Sequence, residues 1–402
     1  MKHVLFVDDE QSVLDGLRTR LHRMSGKWRM TFVNGGEDAL DRLERDQVDV
    51  IVTDMRMPGM DGAQLLNAAS TRWPETIRIV LSGYAELQQT TRLVPVAHQY
   101  LSKPCESPVL ENVIDRCVQL HELLRRPQLR ASVGRIRKLP AMPRTYAKLQ
   151  EALAAEDVNV HEIARIISAD TTIAARMLQI VNSAFFRLAR RITNVEQAVT
   201  YLGYSAVRNL VMCAEVFSQW SAARRTVNLE HLQSHALRVA TAALSLTNKT
   251  PLADDAMLAG LVHDIGYWVL AQESPDDLEE SLDVARAKGI PMHAAEQQVI
   301  GASHAEIGAY LLGLWGMPYT VIEAVAHHHT PRRVAQTHFD VLAAMATAHF
   351  LTEPPESTAF GGGLAEDEPV DAAYLESMKA PFSWTEAVRR VSESLEQGDE
   401  DP

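Results

Sequence analysis

VDVIVTDMRMPGMDG, residues 48–62, decides how the first part of the chain folds. Its opening, VDVIVT (48–53), is a near-continuous run of strand-forming apolar residues, the pattern of a strand buried on both faces of a parallel sheet. The run ends on Asp54, and a turn bearing Pro58 and Gly59 follows. Four more short β-rich runs lie at 4–7, 30–33, 77–81 and 97–101, with amphipathic stretches such as 12–24 and 36–45 between strands. Strands alternating with helical patterns at this spacing predict βαβ units. The expected fold class is therefore α/β for residues 1–125, a doubly wound (βα)5 parallel sheet.

Ligands of such sheets bind outside the carboxyl ends of the strands. Asp8 and Asp9 end the first strand, Asp54 the third and Ser82 the fourth, and Lys103 follows the fifth. Three carboxylates at one sheet edge repel one another unless a hard cation joins them, and Mg²⁺ prefers such oxygen ligands. A carboxylate beside Mg²⁺ can attack a phosphoryl donor, while a nearby ammonium neutralises the transferring oxygens. Taken singly, Asp8 or Asp9 could merely cap the next helix, and Lys103-Pro104 or Ser82-Gly83 could be ordinary turns. All of them arriving at strand ends in order makes one site.

The stretch resembles the receiver domains of two-component response regulators, through FVDDE (6–10), DMRMPGMDG (54–62), LSGY (81–84) and YLSKP (100–104). The resemblance implies that Asp54 is the phosphoacceptor, with Asp8, Asp9 and the backbone carbonyl of Arg56 as further Mg²⁺ ligands. Ser82 and Tyr100 fall on its switch positions and Lys103 on its lysine, and a cis peptide is usual before the proline matching Pro104. A sensor histidine kinase or phosphotransfer protein is the implied phosphodonor. Self-association as a homodimer, or altered docking of the rest of the chain, are the outputs such a switch would drive.

Beyond a basic, proline-bearing linker at 126–138, strand signals fade. Helical periods recur at 161–168, 172–182, 205–219, 229–246 and 255–271, predicting an all-α domain over 139–351. Residues 352–402 form an acidic tail with room for short helices, beginning in a Pro-, Gly- and acid-rich loop. Ten of the 15 histidines lie between His231 and His349, and the sharpest element is GLVHDIG (260–266). Imidazoles and a carboxylate gathered from separate helices can hold one or two divalent metals and activate a bound water. Any one of these histidines could equally pack between helices and bond to backbone.

This half resembles the HDOD domain, a regulatory relative of the HD phosphohydrolases. LPAMP (139–143), ISADTTIAARMLQIVNSAFF (167–186), ITNVEQAVTYLG (192–203), GLVHDIG and the HHHTP segment carry the resemblance. It implies an all-helical HDOD/HD-like fold and places His235, His263, Asp264, His304, His327 and His328 on positions that are ligands in active HD enzymes. Fe, Mn or Zn would suit them. Two departures oppose cyclic-di-GMP hydrolysis: HTPRRV replaces a Gly-Tyr-Pro signature, and His349 stands where active enzymes carry an aspartate.

The net charge of −13 argues against nucleic-acid binding as the main function, so direct DNA contact is not expected. Three scattered cysteines with no C-x-x-C pair argue against a Cys-based zinc site and a disulfide framework. No apolar run spans a membrane, and the apolar start is too short for a signal peptide, so a cytoplasmic address is expected. Two functional readings stand. In the first, phosphorylation of Asp54 changes how the helical domain engages a downstream signalling protein. In the second, the receiver gates a metal-dependent phosphohydrolase.

Overall fold

The structure, a computed structural model, describes residues 1–73, 76–83, 97–103, 105–135, 140–153, 158–182, 192–218, 229–352 and 370–396. The chain divides into two compact units, Met1–Leu123 and Leu124–Pro402.

In the first unit β1 (Lys2–Val7), β2 (Trp28–Val33), β3 (Val50–Asp54), β4 (Ile77–Gly83) and β5 (Gln99–Lys103) form one sheet in the order β2-β1-β3-β4-β5. Every neighbouring pair is parallel. Val4, Leu5, Phe6, Val50 and Ile51 are completely buried, as a sheet covered on both faces requires. The helices are α1 (Gln11–Arg20), α2 (Gly36–Arg45), α3 (Gly62–Arg72) and α4 (Ser107–Leu124). The stretch 12–24 is α-helical only to Arg20, after which His22–Gly26 tightens into a 3-10 turn. The helix expected between β4 and β5 would fall at 84–96, outside the described residues. β1 pairs with β2 on one side and β3 on the other, so strand order reverses there. The crevice this creates lies at the carboxyl ends of β1 and β3, where Asp8, Asp9 and Asp54 stand.

The second unit is helical throughout its described residues. Its helices are α5 (Pro127–Arg135), α6 (Arg144–Leu153), α7 (Val160–Ser168), α8 (Thr171–Val181), α9 (Val195–Ser218), α10 (Leu229–Thr247), α11 (Ala253–Val262), α12 (Ile265–Glu273), α13 (Pro275–Lys288), α14 (Met292–Val299), α15 (His304–Leu314), α16 (Tyr319–His327), α17 (Val341–Thr352), α18 (Ala372–Ser377) and α19 (Trp384–Glu396). Much of the basic stretch 126–138 is α5, and Ser132 Oγ ties it to the unit by donating to the Ile300 carbonyl at 2.8 Å. The period at 205–219 begins earlier, at Val195, and bends where Gly203 takes φ 81°.

The stretch 255–271, one helical period in the sequence, is two helices broken at His263-Asp264. The His263 ring turns back to the Gly260 carbonyl, and Asp264 leaves helical geometry at φ −96°, ψ 14°. Residues 370–396 are built into the unit. Tyr374, Ala387 and Val391 are buried, and Tyr374 Oη donates to Gln336 Oε1 at 2.8 Å.

Candidate functional sites

The first site forms at the carboxyl edge of the sheet. Lys103 Nζ donates to Asp8 Oδ2 at 2.8 Å and also to Asp54 Oδ1, so one ammonium bridges both carboxyl groups. Burial alone would lower the Lys103 pKa, but its bonds to Asp54 and then Asp8 overcome that and raise it. Lys103 therefore stays charged. Asp54 Oδ2 accepts from the backbone N–H of Arg56 at 2.8 Å, which curls the following loop over the carboxyl group.

That loop returns tightly. A Cβ on Gly62 would stand 2.2 Å from the Asp54 carbonyl oxygen, so only glycine fits where α3 begins. Asp61 and Gln64 close a capping box there, an arrangement in which the cap alone contributes about 1 kcal/mol. Asp8 is nearly buried, whereas Asp9 and Asp54 keep partial exposure. The donor set of Asp8, Asp9 and Asp54 is all oxygen, which fits Mg²⁺. Ser82 and Tyr100 lie on β4 and β5, but their side chains, and Pro104, lie outside the described residues.

The second site is a buried cluster in the helical unit. α10 brings His235, the α11–α12 break brings His263 and Asp264, the first residue of α15 is His304, and α17 brings His349. His328 and His329 follow α16. Two glycines let these elements approach. A Cβ on Gly260 would sit 2.6 Å from the Cα of Ala240 on α10, and one on Gly266 would sit 1.9 Å from the carbonyl oxygen of His304.

Asp264 is the centre. Its Oδ2 lies 3.2 Å from His263 Nε2 and 4.0 Å from His235 Nε2, while Oδ1 lies 3.5 Å from His304 Nε2 and 3.8 Å from His328 Nε2. Each carboxyl oxygen thus faces a different pair of imidazoles. Nδ1 of His263 meets the Gly260 carbonyl and Nδ1 of His328 meets the Val325 carbonyl, both at 2.8 Å. A carbonyl can only accept, so the proton sits on Nδ1 and each Nε2 carries a lone pair. Both Nε2 atoms are buried without a hydrogen-bond partner. Leaving one such atom unmatched costs about 1–3 kcal/mol, which coordination to a cation would offset.

Burial pushes His235 down to about 4 and puts His328, His329 and His349 well below the ordinary imidazole range. Neutral imidazole is the ligating form. Burial would raise the Asp264 carboxyl, but the imidazoles around it, His263 before His304 and His235, hold it well below the usual range to the extent that they carry a proton toward it. Imidazoles around one carboxylate suit Zn, Fe or another first-row ion better than Mg²⁺.

Three groups have ligand atoms lying within 4.8 Å of one another: His235, His263 and His349; His304, His328 and His329; His263, Asp264 and His328. His327, at the end of α16 and partly buried, is in none of these groups. His329 takes part instead, with its Nε2 3.0 Å from His304 Nε2. Sequence reasoning did not single out His329, Glu296 or His293. Glu296 bonds His304 and is fully buried, and the His293 ring stacks on His329 at 4.6 Å. Glu296 stands in AAEQQ, whose polar run looks solvated; only the fold turns it inward.

The profile of the response regulator receiver domain matches residues 4–115, and that of the HDOD domain matches 139–331. An uncharacterized protein of Treponema pallidum is 28% identical over 229 residues, 55% of this chain and 44% of its own length. The hydrogenase transcriptional regulatory protein HoxA of Cupriavidus necator is 36% identical over 122 residues, 30% of this chain and 25% of its own length. The chain therefore spans less than half the length of either relative.

Two crystal structures share the helical fold. One is an HDOD domain protein of unknown function from Geobacter sulfurreducens, with TM-score 0.53, 24% identity and coverage of 70% of this chain and 90% of that one. The other is a putative phosphohydrolase from Shewanella amazonensis, with TM-score 0.52, 22% identity and coverage of 67% and 95%. The HDOD match ends at 331, so His349 lies beyond it. No helix among the described residues is long and apolar enough to cross a membrane.

Proposed function

The chain is a response-regulator-type signalling protein, a receiver domain joined to an HDOD domain, and we propose that it takes a phosphoryl group on Asp54 and answers through its helical unit. The observation that carries this reading is the Lys103 ammonium bridging Asp8 and Asp54 at the switch point of the sheet. Asp8, Asp9 and Asp54, with the carbonyl of Arg56, would hold Mg²⁺, whose contribution is to neutralise charge on the phosphoryl oxygens.

An Asp54 carboxylate oxygen attacks phosphorus. The new O–P bond forms as the bond to the donor's leaving group breaks; for a histidine kinase that is the phosphoimidazole N–P bond. Lys103, released from Asp54, pairs with the new phosphoryl oxygens. Ser82 and Tyr100 then serve as the switch residues, and the downstream signalling protein binds the helical unit in one phosphorylation state only.

The test is intact-mass measurement after incubation with acetyl phosphate. One phosphoryl group per chain is expected with Mg²⁺ present and none after chelation. Absence of uptake with Mg²⁺ overturns the reading.

A second reading concerns the output. Unmatched Nε2 atoms on His263 and His328, facing Asp264, support a divalent metal centre in the helical unit. His235, His263 and His349 would hold one ion, and His304, His328 and His329 a second, with Asp264 between them. A metal so held supplies an activated water, the chemistry of a phosphohydrolase. Asp264 and His235 keep slight exposure, whereas His263 and His328 are fully buried.

A further inference from the structure

We infer that Glu296 is a positioning residue that aims His304 into the cluster; the inference rests on the metal-centre reading above. Glu296 lies on α14 and is completely buried. Its Oε2 accepts two hydrogen bonds from one residue, from the His304 backbone N–H at 2.8 Å and from His304 Nδ1 at 2.7 Å.

The consequence is chemical. With its proton held on Nδ1, His304 carries its lone pair on Nε2. That nitrogen lies 3.5 Å from Asp264 Oδ1. The ring is further fixed by Tyr267, stacked on it at 4.0 Å and 16°. His263 and His328 are held by neutral carbonyls, whereas His304 is held by a carboxyl group, a stronger partner that also raises the basicity of the opposite nitrogen.

A purely structural role explains less. The N-terminus of α15 already has its own capping box, made by Ser303 and Glu306. The bond from Glu296 to the His304 backbone is therefore additional to a finished cap. The second oxygen, Oε1, is buried with no hydrogen-bond partner. A carboxyl group half matched in the interior burdens the fold, and a helix cap alone would not call for one.

The experiment is a Co²⁺ titration of the full-length chain, followed by visible absorption, with wild type, E296Q, E296A, H304A and the E296A/H304A double variant. E296A is expected to weaken Co²⁺ binding about 100-fold, and E296Q, which keeps an acceptor oxygen, about tenfold. In the H304A background, E296A is expected to cost nothing more, because Glu296 acts through His304. Thermal unfolding of the metal-free proteins reports folding separately.

Unchanged affinity in E296A, or equal losses with and without His304, overturns the role of Glu296 and leaves the metal centre standing. Should E296A fail to fold, unchanged affinity in E296Q has the same force. A wild-type chain that binds no Co²⁺ overturns the metal-centre reading itself.

Discussion

Asp54→Asn takes up no phosphoryl group under conditions that load the wild-type chain close to one per molecule. The substitution exchanges a carboxylate oxygen for an amide and keeps the shape. The remaining side-chain oxygen can still accept from the Arg56 backbone N–H, the 2.8 Å bond that curls the loop. Gly62 and the Asp61 cap are untouched, so α3 starts where it did. What disappears is the nucleophile and one anionic ligand. Unchanged thermal unfolding together with absent mass gain is the expected pair of results. Residual uptake in the variant would move the acceptor to Asp8 or Asp9.

On the metal-centre reading, Asp264→Ala is expected to empty the helical unit of transition metal. Both oxygens of this residue face imidazole nitrogens, at 3.2 and 4.0 Å on one side and 3.5 and 3.8 Å on the other. Its removal withdraws the anionic charge from both prospective ions at once. Partners that only orient ligands are worth about 10–100-fold in metal affinity; loss of the shared carboxylate should exceed about 100-fold. A metal held at 100 times its dissociation constant stabilises the fold by about 2.7 kcal/mol, so the variant also loses the stabilisation that metal gives the wild type. Metal analysis of chelator-free preparations, with unfolding curves before and after chelation, checks both.

The sheet was legible in the sequence because the central strands, β1 and β3, are near-continuous apolar runs with an aspartate at or just past their carboxyl ends. Asp8, Asp54 and Lys103 could be placed at one edge from strand order alone, and they meet there. The helix pattern was legible too, but not its break. His263-Asp264 stands out as a polar pair between the apolar stretches 256–262 and 265–271, but a polar pair can ride on a continuous helix, and the turn of the His263 ring to the Gly260 carbonyl shows only in the fold.

The cluster was visible as a set of residue types but not as a geometry. His327, His328 and His329 are chemically identical neighbours in sequence, and only the end of α16 decides which rings turn inward. Glu296 was hidden for a related reason, since a glutamate beside two glutamines looks solvated until α14 and α15 close on it.

Whether the helical unit answers the receiver is tested most directly by hydrogen exchange on the full-length chain, with and without acetyl phosphate and Mg²⁺, in wild type and Asp54→Asn. The account predicts that phosphorylation changes exchange in residues 1–123 and also in the helices between 139 and 396, and that Asp54→Asn shows neither change. Exchange that alters in residues 1–123 alone, with the helical unit unmoved, would contradict it.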